Sequence, residues 1–164
     1  MKKLQAVDLF RILKYLEQRV DSGELTVKTK FSYAILTNLA VLESLIEIIK
    51  KVSDPSEDFK KYDIERVELA KKYSEKGGDG QPIVENNSYK LVGDGLTKFN
   101  EEFEKFKELN KDTLDKRVKQ LKEVEELLQE DVEVTLQKVK LDILPEEGLT
   151  PAMLKIMNVI LEKE

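Results

Sequence analysis

The side chains best suited to acid–base chemistry in this sequence are its carboxylates, several of which occur as adjacent pairs. Examples are Glu101-Glu102, Glu125-Glu126 and Glu146-Glu147. Neighbouring residues on a helix do not face each other, so such a pair does not converge on one reacting atom. A carboxyl group also needs burial or a like-charged neighbour in a cleft to shift its pKa, and the spacing indicates neither. Solvated helix faces account for the pairs, and we predict no catalytic residue and no enzyme.

A glycine cluster at residues 77–80, Gly-Gly-Asp-Gly, is the segment whose backbone N–H groups could hold an anion. Phosphate-binding loops follow a strand and open a helix, whereas this cluster follows a predicted helix and leads into a predicted strand. We therefore interpret it as a turn. Candidate calcium ligands nearby are Asp79, Glu85, Asn86 and Asp94. Their spacing departs from the twelve-residue calcium loop, so we predict no metal site and no cofactor.

Composition removes most other chemistry, because the 164 residues include no cysteine and no histidine. Disulfides, thiolate nucleophiles, the commonest metal ligand and the usual general base are all missing. Residues 1–77 carry 15 basic and 13 acidic side chains, and residues 78–164 carry 13 and 20. Phosphate contacts need a concentrated basic face, and here lysine pairs alternate with acids. We expect no nucleic-acid binding.

Hydrophobic periodicity predicts a mainly α fold with a small β component (α+β), in a single domain covering residues 1–164. Apolar residues recur every three or four positions, which indicates long amphipathic helices packed as a bundle or a coiled-coil hairpin. The helices are predicted at about 4–20, 26–52, 55–76, 96–130 and 151–162. The fourth would be roughly 50 Å long. A break near 110–113, where Asp112 or Thr113 could cap a new helix, therefore stays open beside a continuous helix.

Two segments favour β structure. Residues 82–92 place short apolar runs on either side of Asn86 and Asn87, and asparagine tolerates the positive φ angles of a hairpin turn, so a β-hairpin is predicted. Residues 131–144 alternate apolar and polar side chains, which is the period of a strand. The alternation changes phase between Leu136 and Val139, which suggests a bulge or a bend. We predict strands there.

The most apolar predicted helix, at 26–52, also has the composition of a membrane span. However, Asn38, Glu43, Ser44 and Glu47 lie in its densest part, and a central charge costs about 2.5–3.5 kcal/mol on insertion. We therefore expect a largely buried core helix and no membrane contact. Charged residues interrupt any apolar run at the N-terminus, which favours a cytoplasmic location.

One stripe of the segment 96–130 is the candidate protein interface. It carries Phe99, Phe103, Phe106, Leu114, Val118 and Leu121. At helical spacing such residues are more often core, because large exposed apolar patches are uncommon on monomers. Asn38 and Asn110 lie on apolar stripes, where they either fix the register of packed helices or of an oligomer, or are satisfied buried amides.

Several stretches resemble a family of small phage-encoded proteins of unassigned function. They are residues 62–69 with Lys72, Tyr73, Lys76, Asp79, Gly80 and Tyr89, then residues 99–109, 132–134, 139–144 and 149–151 before a final helix. The resemblance covers most of the chain, and residues 110–130 depart from the family pattern. It implies an origin in a phage or prophage of a Gram-positive-type host, and it carries over no functional residue.

Long amphipathic helices, an acidic C-terminal half and the missing catalytic set together predict a non-enzymatic protein that acts through protein–protein contacts. With the resemblance, the expected role is a virion structural component or an assembly factor, located in the host cytoplasm or the virion. The alternative is an acidic inhibitor that binds a host protein, such as a defence or transcription component. The partner would be a phage or host protein or a second copy of the chain, so a homo-oligomer is compatible with the prediction.

Overall fold

The computed structural model describes residues 1–162. The chain divides into two compact units. The first, here called the aliphatic unit, comprises Met1–Ser53 and Glu123–Glu164, of which all but the last two residues are described. The second, the aromatic unit, comprises Asp54–Lys122. Compactness does not establish how many units unfold together, so the single domain stays a prediction.

Helices dominate the described residues, with 66% helix, six α-helices and one two-stranded antiparallel sheet. The elements are α1 (Lys3–Asp21), α2 (Thr29–Ser53), α3 (Glu57–Tyr73), β1 (Val84–Glu85), β2 (Ser88–Tyr89), α4 (Gly93–Leu109), α5 (Lys111–Gln129), a 3₁₀ turn (Leu141–Ile143) and α6 (Pro151–Met157). This confirms the predicted mainly α fold with a small β component.

The aliphatic unit is built on the pairing of α1 and α2, which bury one apolar stripe each. Gly23 ends the first helix with φ +77°, a conformation that glycine adopts at little cost. The core contains Ala6, Leu9, Leu13, Leu16, Leu25, Phe31, Ala34, Ile35, Leu39, Leu42, Val139, Met157 and Ile160. Residues from the C-terminal segment thus complete a core that the two N-terminal helices begin.

Residues 131–140 lie across this core without forming a regular strand, so the prediction of strands at 131–144 is wrong. Single bridges form at each end, from Asp131 to Lys2 and from Val139 to Leu161. Further on, Leu141–Ile143 is a 3₁₀ turn. Side chains alternate here because one face of the segment packs against the core. Such packing does not require a neighbouring strand that pairs with the backbone.

The aromatic unit contains α3, the hairpin, α4 and most of α5. The hairpin pairs Val84 with Tyr89 and Glu85 with Ser88. Its two turn residues, Asn86 and Asn87, have φ of 50° and 60°, as a type I′ turn requires. The predicted β-hairpin and its asparagine tip are therefore confirmed.

Several helix boundaries differ from the prediction, including the start of α2 at Thr29 instead of 26 and that of α4 at Gly93 instead of 96. The hydroxyl of Ser56 accepts a hydrogen bond from the Phe59 N–H (3.2 Å), so α3 begins at Glu57 instead of 55, and it ends at Tyr73 instead of 76. The helix 96–130 is broken at Asn110, which separates α4 from α5 and decides between the two alternatives. Finally, α6 is capped by Thr150 as expected but ends at Met157, well before 162.

Candidate functional site

The six residues predicted as an interface lie on two helices, with different exposure. Phe99, Phe103 and Phe106 on α4 and Leu114 on α5 are half-buried, whereas Val118 and Leu121 on α5 are 66% and 49% exposed. Neither α4 nor α5 contains a fully buried residue among those described. The stripe is therefore divided between internal packing and solvent.

The phenylalanines of α4 take part in an aromatic cluster inside the aromatic unit. Phe106 stacks on Tyr62 of α3, with ring centroids 5.0 Å apart, and Tyr62 also contacts Phe59 at 5.6 Å. Phe99 and Phe103 stack on each other at 5.2 Å. Such pairs add about 0.5–1.5 kcal/mol beyond area burial. These contacts favour a packing role for Phe106, and an interface role for the six residues stays a prediction.

A second exposed apolar surface lies on α2, where the side away from the core carries few charges. This surface, the outward face of α2, consists of Tyr33, Leu36, Ala40, Val41 and Ile48. Tyr33, Leu36 and Ile48 are 65%, 54% and 56% exposed. No charged residue occurs between Lys30 and Glu43. The expectation that this helix is largely buried is therefore wrong, because only one of its two apolar sides packs against the core.

The same helix, Thr29–Ser53, is the single candidate membrane span among the described residues, judged by its length and its mean hydropathy of 1.5. The share of its most apolar window that is buried in the protein is 39%. Core helices of soluble proteins meet these criteria too, so composition alone does not assign the helix to a membrane.

The polar residue at the centre of α2 is a satisfied buried amide. Asn38 is fully buried, its Oδ1 accepts a hydrogen bond from the Gln137 N–H (2.7 Å), and its Nδ2 donates to the Gln137 carbonyl (3.0 Å). One side chain thus replaces the strand partner that residue 137 lacks. Asn110 is used differently, because its Nδ2 donates to the Phe106 carbonyl at the end of α4 (2.9 Å).

The ionisable groups whose pKa is shifted belong to exposed ion pairs. The Tyr73 hydroxyl donates a hydrogen bond to Glu102, and together with the Lys72 ammonium, 3.1 Å away, it lowers the pKa of that carboxyl group. The pKa of Lys90 is raised by hydrogen bonds to Glu75 and Glu85. These contacts link α3 to α4 and the segment after α3 to the hairpin. The lowered pKa of Glu102 favours its ionised form, which does not prepare this group to transfer a proton near neutral pH.

The glycine cluster at 77–80 forms the predicted turn. The Gly77 N–H donates to the Gln81 carbonyl (2.9 Å), and Gly80 has φ +75°. The Asp79 carboxylate accepts a hydrogen bond from the Gln81 N–H (3.0 Å), so this candidate calcium ligand has a role in the turn. Within residues 1–162, no group of three or more acidic side chains is arranged to hold a metal ion.

Three open grooves mark the surface of the aliphatic unit. One of about 550 Å³ is lined by residues 24–28 and 144–148 with Arg19, and another of about 520 Å³ lies between the start of α2 and residues 137–143. The largest, about 730 Å³, follows residues 132–136 and is flanked by Met1 and Val159. All are shallow surface features, in contrast to the enclosed sites typical of small-molecule ligands.

Comparison with known proteins gives no relative: no protein-family model, curated protein or solved structure matches this chain. The phage origin inferred from the resemblance stays a prediction.

Sequence reasoning missed the outward face of α2. The signal was present in Leu36, Val41 and Ile48, which lie off the main stripe of the helix. A helix with apolar residues on two sides either is buried all round or has a second surface to cover, and the sequence pattern alone does not decide between the two.

Proposed function

We propose that the protein acts without catalysis, by binding another protein through the outward face of α2. The observation that carries the proposal is the charge-free segment between Lys30 and Glu43, whose outward side exposes Tyr33, Leu36, Ala40 and Val41, in a chain of which 37% is charged. Ile48 extends this face beyond the exposed Glu43 and Glu47. The exposed side chains present on the order of 500 Å², which is the size of the largest apolar patches on monomers, and these are often functional.

The spacing of the face fits a helical partner. Residues 33–48 cover about 22 Å along the helix axis, or roughly four turns. Ala40 and Ser44 are small and exposed, so a partner backbone can approach closely between Tyr33 and Ile48. A partner helix with apolar residues at every third or fourth position would lie along this face, as amphipathic helices do in other complexes.

The biological setting remains the one predicted from the sequence. A virion structural component or assembly factor is proposed from the resemblance to phage proteins, and a role as an acidic inhibitor of a host protein is the alternative. Mass spectrometry of purified particles tests the structural role, because a structural component is found in the particle at a fixed ratio to the other virion proteins, whereas absence from the particle leaves an assembly factor or an inhibitor.

The face itself is tested with a double variant, Leu36→Asp with Ile48→Asp. Both side chains are exposed, so the fold should be retained, as circular dichroism and thermal unfolding would check. The matched control is Ile64→Asp on α3, whose side chain is 66% exposed. We expect the wild type and the control to capture the same protein from host or particle extract. The amount captured by the double variant should be at least tenfold lower.

Two results would contradict the proposal. One is equal capture by the double variant. The other is tight binding to phospholipid vesicles by the wild type but not by the double variant, since this would make the face a membrane contact.

A further inference from the structure

The exposed side of α5 carries two apolar residues beside two opposite charges. Val118 and Leu121 lie three residues apart and are 66% and 49% exposed. Asp115 and Lys122 are also exposed, and they project from the same flank of the helix because seven residues make almost two turns. In the described part of the chain, neither makes a hydrogen bond or an ion pair. We call these four residues the α5 seam.

The packed side of α5 lies opposite this seam. The Gln120 Nε2 donates a hydrogen bond to the Asp54 carbonyl (2.8 Å), and Thr113 and Gln120 are half-buried. Because each residue of a helix rotates the side-chain direction by about 100°, Thr113 and Gln120 project about 140–160° away from Val118. A second helix can therefore approach the α5 seam from the side of α5 that the aromatic unit leaves uncovered.

We propose that the α5 seam pairs with the α5 seam of a second copy, with the two helices antiparallel. A two-fold axis between the helices places Val118 opposite Leu121 of the other copy. It also places Asp115 opposite Lys122 of the other copy, and each contact occurs twice, as a self-complementary surface requires. Charges that flank an apolar seam select the partner and the orientation of paired helices.

The order of the charges excludes the other simple arrangement. A parallel pair in register would place Asp115 against Asp115 and Lys122 against Lys122, and such like-charged contacts are unfavourable. In the antiparallel pair every flanking contact joins opposite charges. The charge pattern of the α5 seam is thus complementary to itself in one direction only.

The small size of the contact determines the strength expected of the dimer. The α5 seam covers the eight residues 115–122, or about 12 Å of helix. A contact of this length buries less than the roughly 1,200 Å² of stable complexes, so the dimer should form only at high protein concentration. The α5 seam and the outward face of α2 are on different helices, and neither proposal requires the other.

Charge reversal tests the pairing and its direction. Sedimentation equilibrium of the wild type from about 10 µM to about 1 mM should show a monomer–dimer equilibrium. Asp115→Lys and Lys122→Asp should each weaken the dimer about five- to tenfold, because two like-charged contacts replace two contacts between opposite charges. The double variant, Asp115→Lys with Lys122→Asp, exchanges the two charges and should restore the wild-type affinity. Misfolding of the single variants does not produce such a restoration.

Lys116→Asp is the matched control for Lys122→Asp. It changes the net charge of the chain equally, at an exposed position on another side of α5, and should leave the dimer unchanged within about twofold. A monomer throughout the concentration range, or a double variant that dimerises as weakly as the single variants, would overturn the proposal. So would a dimer that is lost with Leu36→Asp and Ile48→Asp but is unaffected by the α5 variants, because the second copy would then bind the outward face of α2.

Discussion

The two units of this chain bury their side chains in different ways. In the described residues, fifteen of the sixteen buried hydrophobic residues belong to the aliphatic unit, and Tyr62 alone belongs to the aromatic unit. The first unit excludes water from a core of leucine, isoleucine and alanine, and burial of each large side chain contributes about 1.5–3 kcal/mol. The second depends on ring stacking, which adds about 0.5–1.5 kcal/mol for each pair, together with a capped helix and exposed ion pairs.

The helix content of the two units is similar but their burial differs, so their stabilities should differ as well. Segments with few buried contacts open at lower free energy than the core. We therefore expect backbone amides of α3 and α4 to exchange faster than those of α1 and α2.

The largest effect is expected from Leu42→Ala in the aliphatic unit. Leu42 is fully buried in the core, so the change should lower the free energy of unfolding by about 2–5 kcal/mol, through lost burial and the cavity left behind. Urea unfolding followed by circular dichroism measures it. The control, Leu36→Ala on the exposed side of the same helix, should cost less than about 1 kcal/mol. Similar losses for both variants would mean that the two sides of α2 are equally packed, which would remove the outward face.

A smaller loss is expected from Asn38→Leu. Leucine keeps the branching of the asparagine side chain but cannot bond to Gln137, so one N–H and one C=O lose their partner, and the cost should be about 2–4 kcal/mol. Amide exchange at Gln137 should accelerate most. Asn100→Leu, at an exposed position on α4, is the control. If Asn38→Leu were as stable as the wild type, residue 137 would be held by packing alone.

In the aromatic unit, Gly95→Ala should destabilise through a backbone contact. A Cβ atom at Gly95 would lie 2.5 Å from the Tyr73 carbonyl oxygen, so α4 must move away from the end of α3. Alanine favours helix by about 1 kcal/mol over glycine, and the net loss should still be about 1–2 kcal/mol. Hydrogen exchange of α3 and α4 measures it. Gly78→Ala, with no atom within 4 Å of the added Cβ, is the matched control and should change stability by less than about 0.5 kcal/mol. Equal exchange rates in the two variants would show that α4 is not held against Tyr73.

The features that could be predicted from the sequence are those that depend only on neighbouring residues. The 3.6-residue stripe gave α1 to within one residue at each end, and the asparagine pair at 86–87 gave the hairpin turn, because both depend on neighbouring residues only. The prediction of a strand at residues 131–140 failed because alternation shows only that one face packs, whereas a strand also needs a neighbouring strand as hydrogen-bond partner. In the predicted interface, Phe106 and Val118 belong to the same stripe of the sequence. Phe106 packs inside the protein because Tyr62, on another helix, stacks against it. Such tertiary placement has no local signal.

The smallest effect concerns the pH dependence of the aromatic unit. The Tyr73 hydroxyl and Lys72 hold the pKa of Glu102 below its ordinary value of 4.5 in the folded protein. A lowered folded-state pKa contributes stability above the ordinary pKa, and this contribution is lost as the pH falls through the folded-state pKa. The stability difference between the wild type and Glu102→Gln should therefore be largest near neutral pH and shrink below about pH 4.5.

Hydrogen exchange of α3 and α4 at a series of pH values, corrected for intrinsic exchange, measures this difference. Glu101→Gln is the control for removing a carboxylate from the same helix, because Glu101 makes no hydrogen bond or ion pair in the described part of the chain. A Glu102→Gln difference that stayed constant down to pH values well below the ordinary pKa would show that the carboxylate is solvated and that stacking alone joins the two helices. The contrast between the units would then be sharper, since the aromatic unit would lose one of the few contacts that hold α3 to α4.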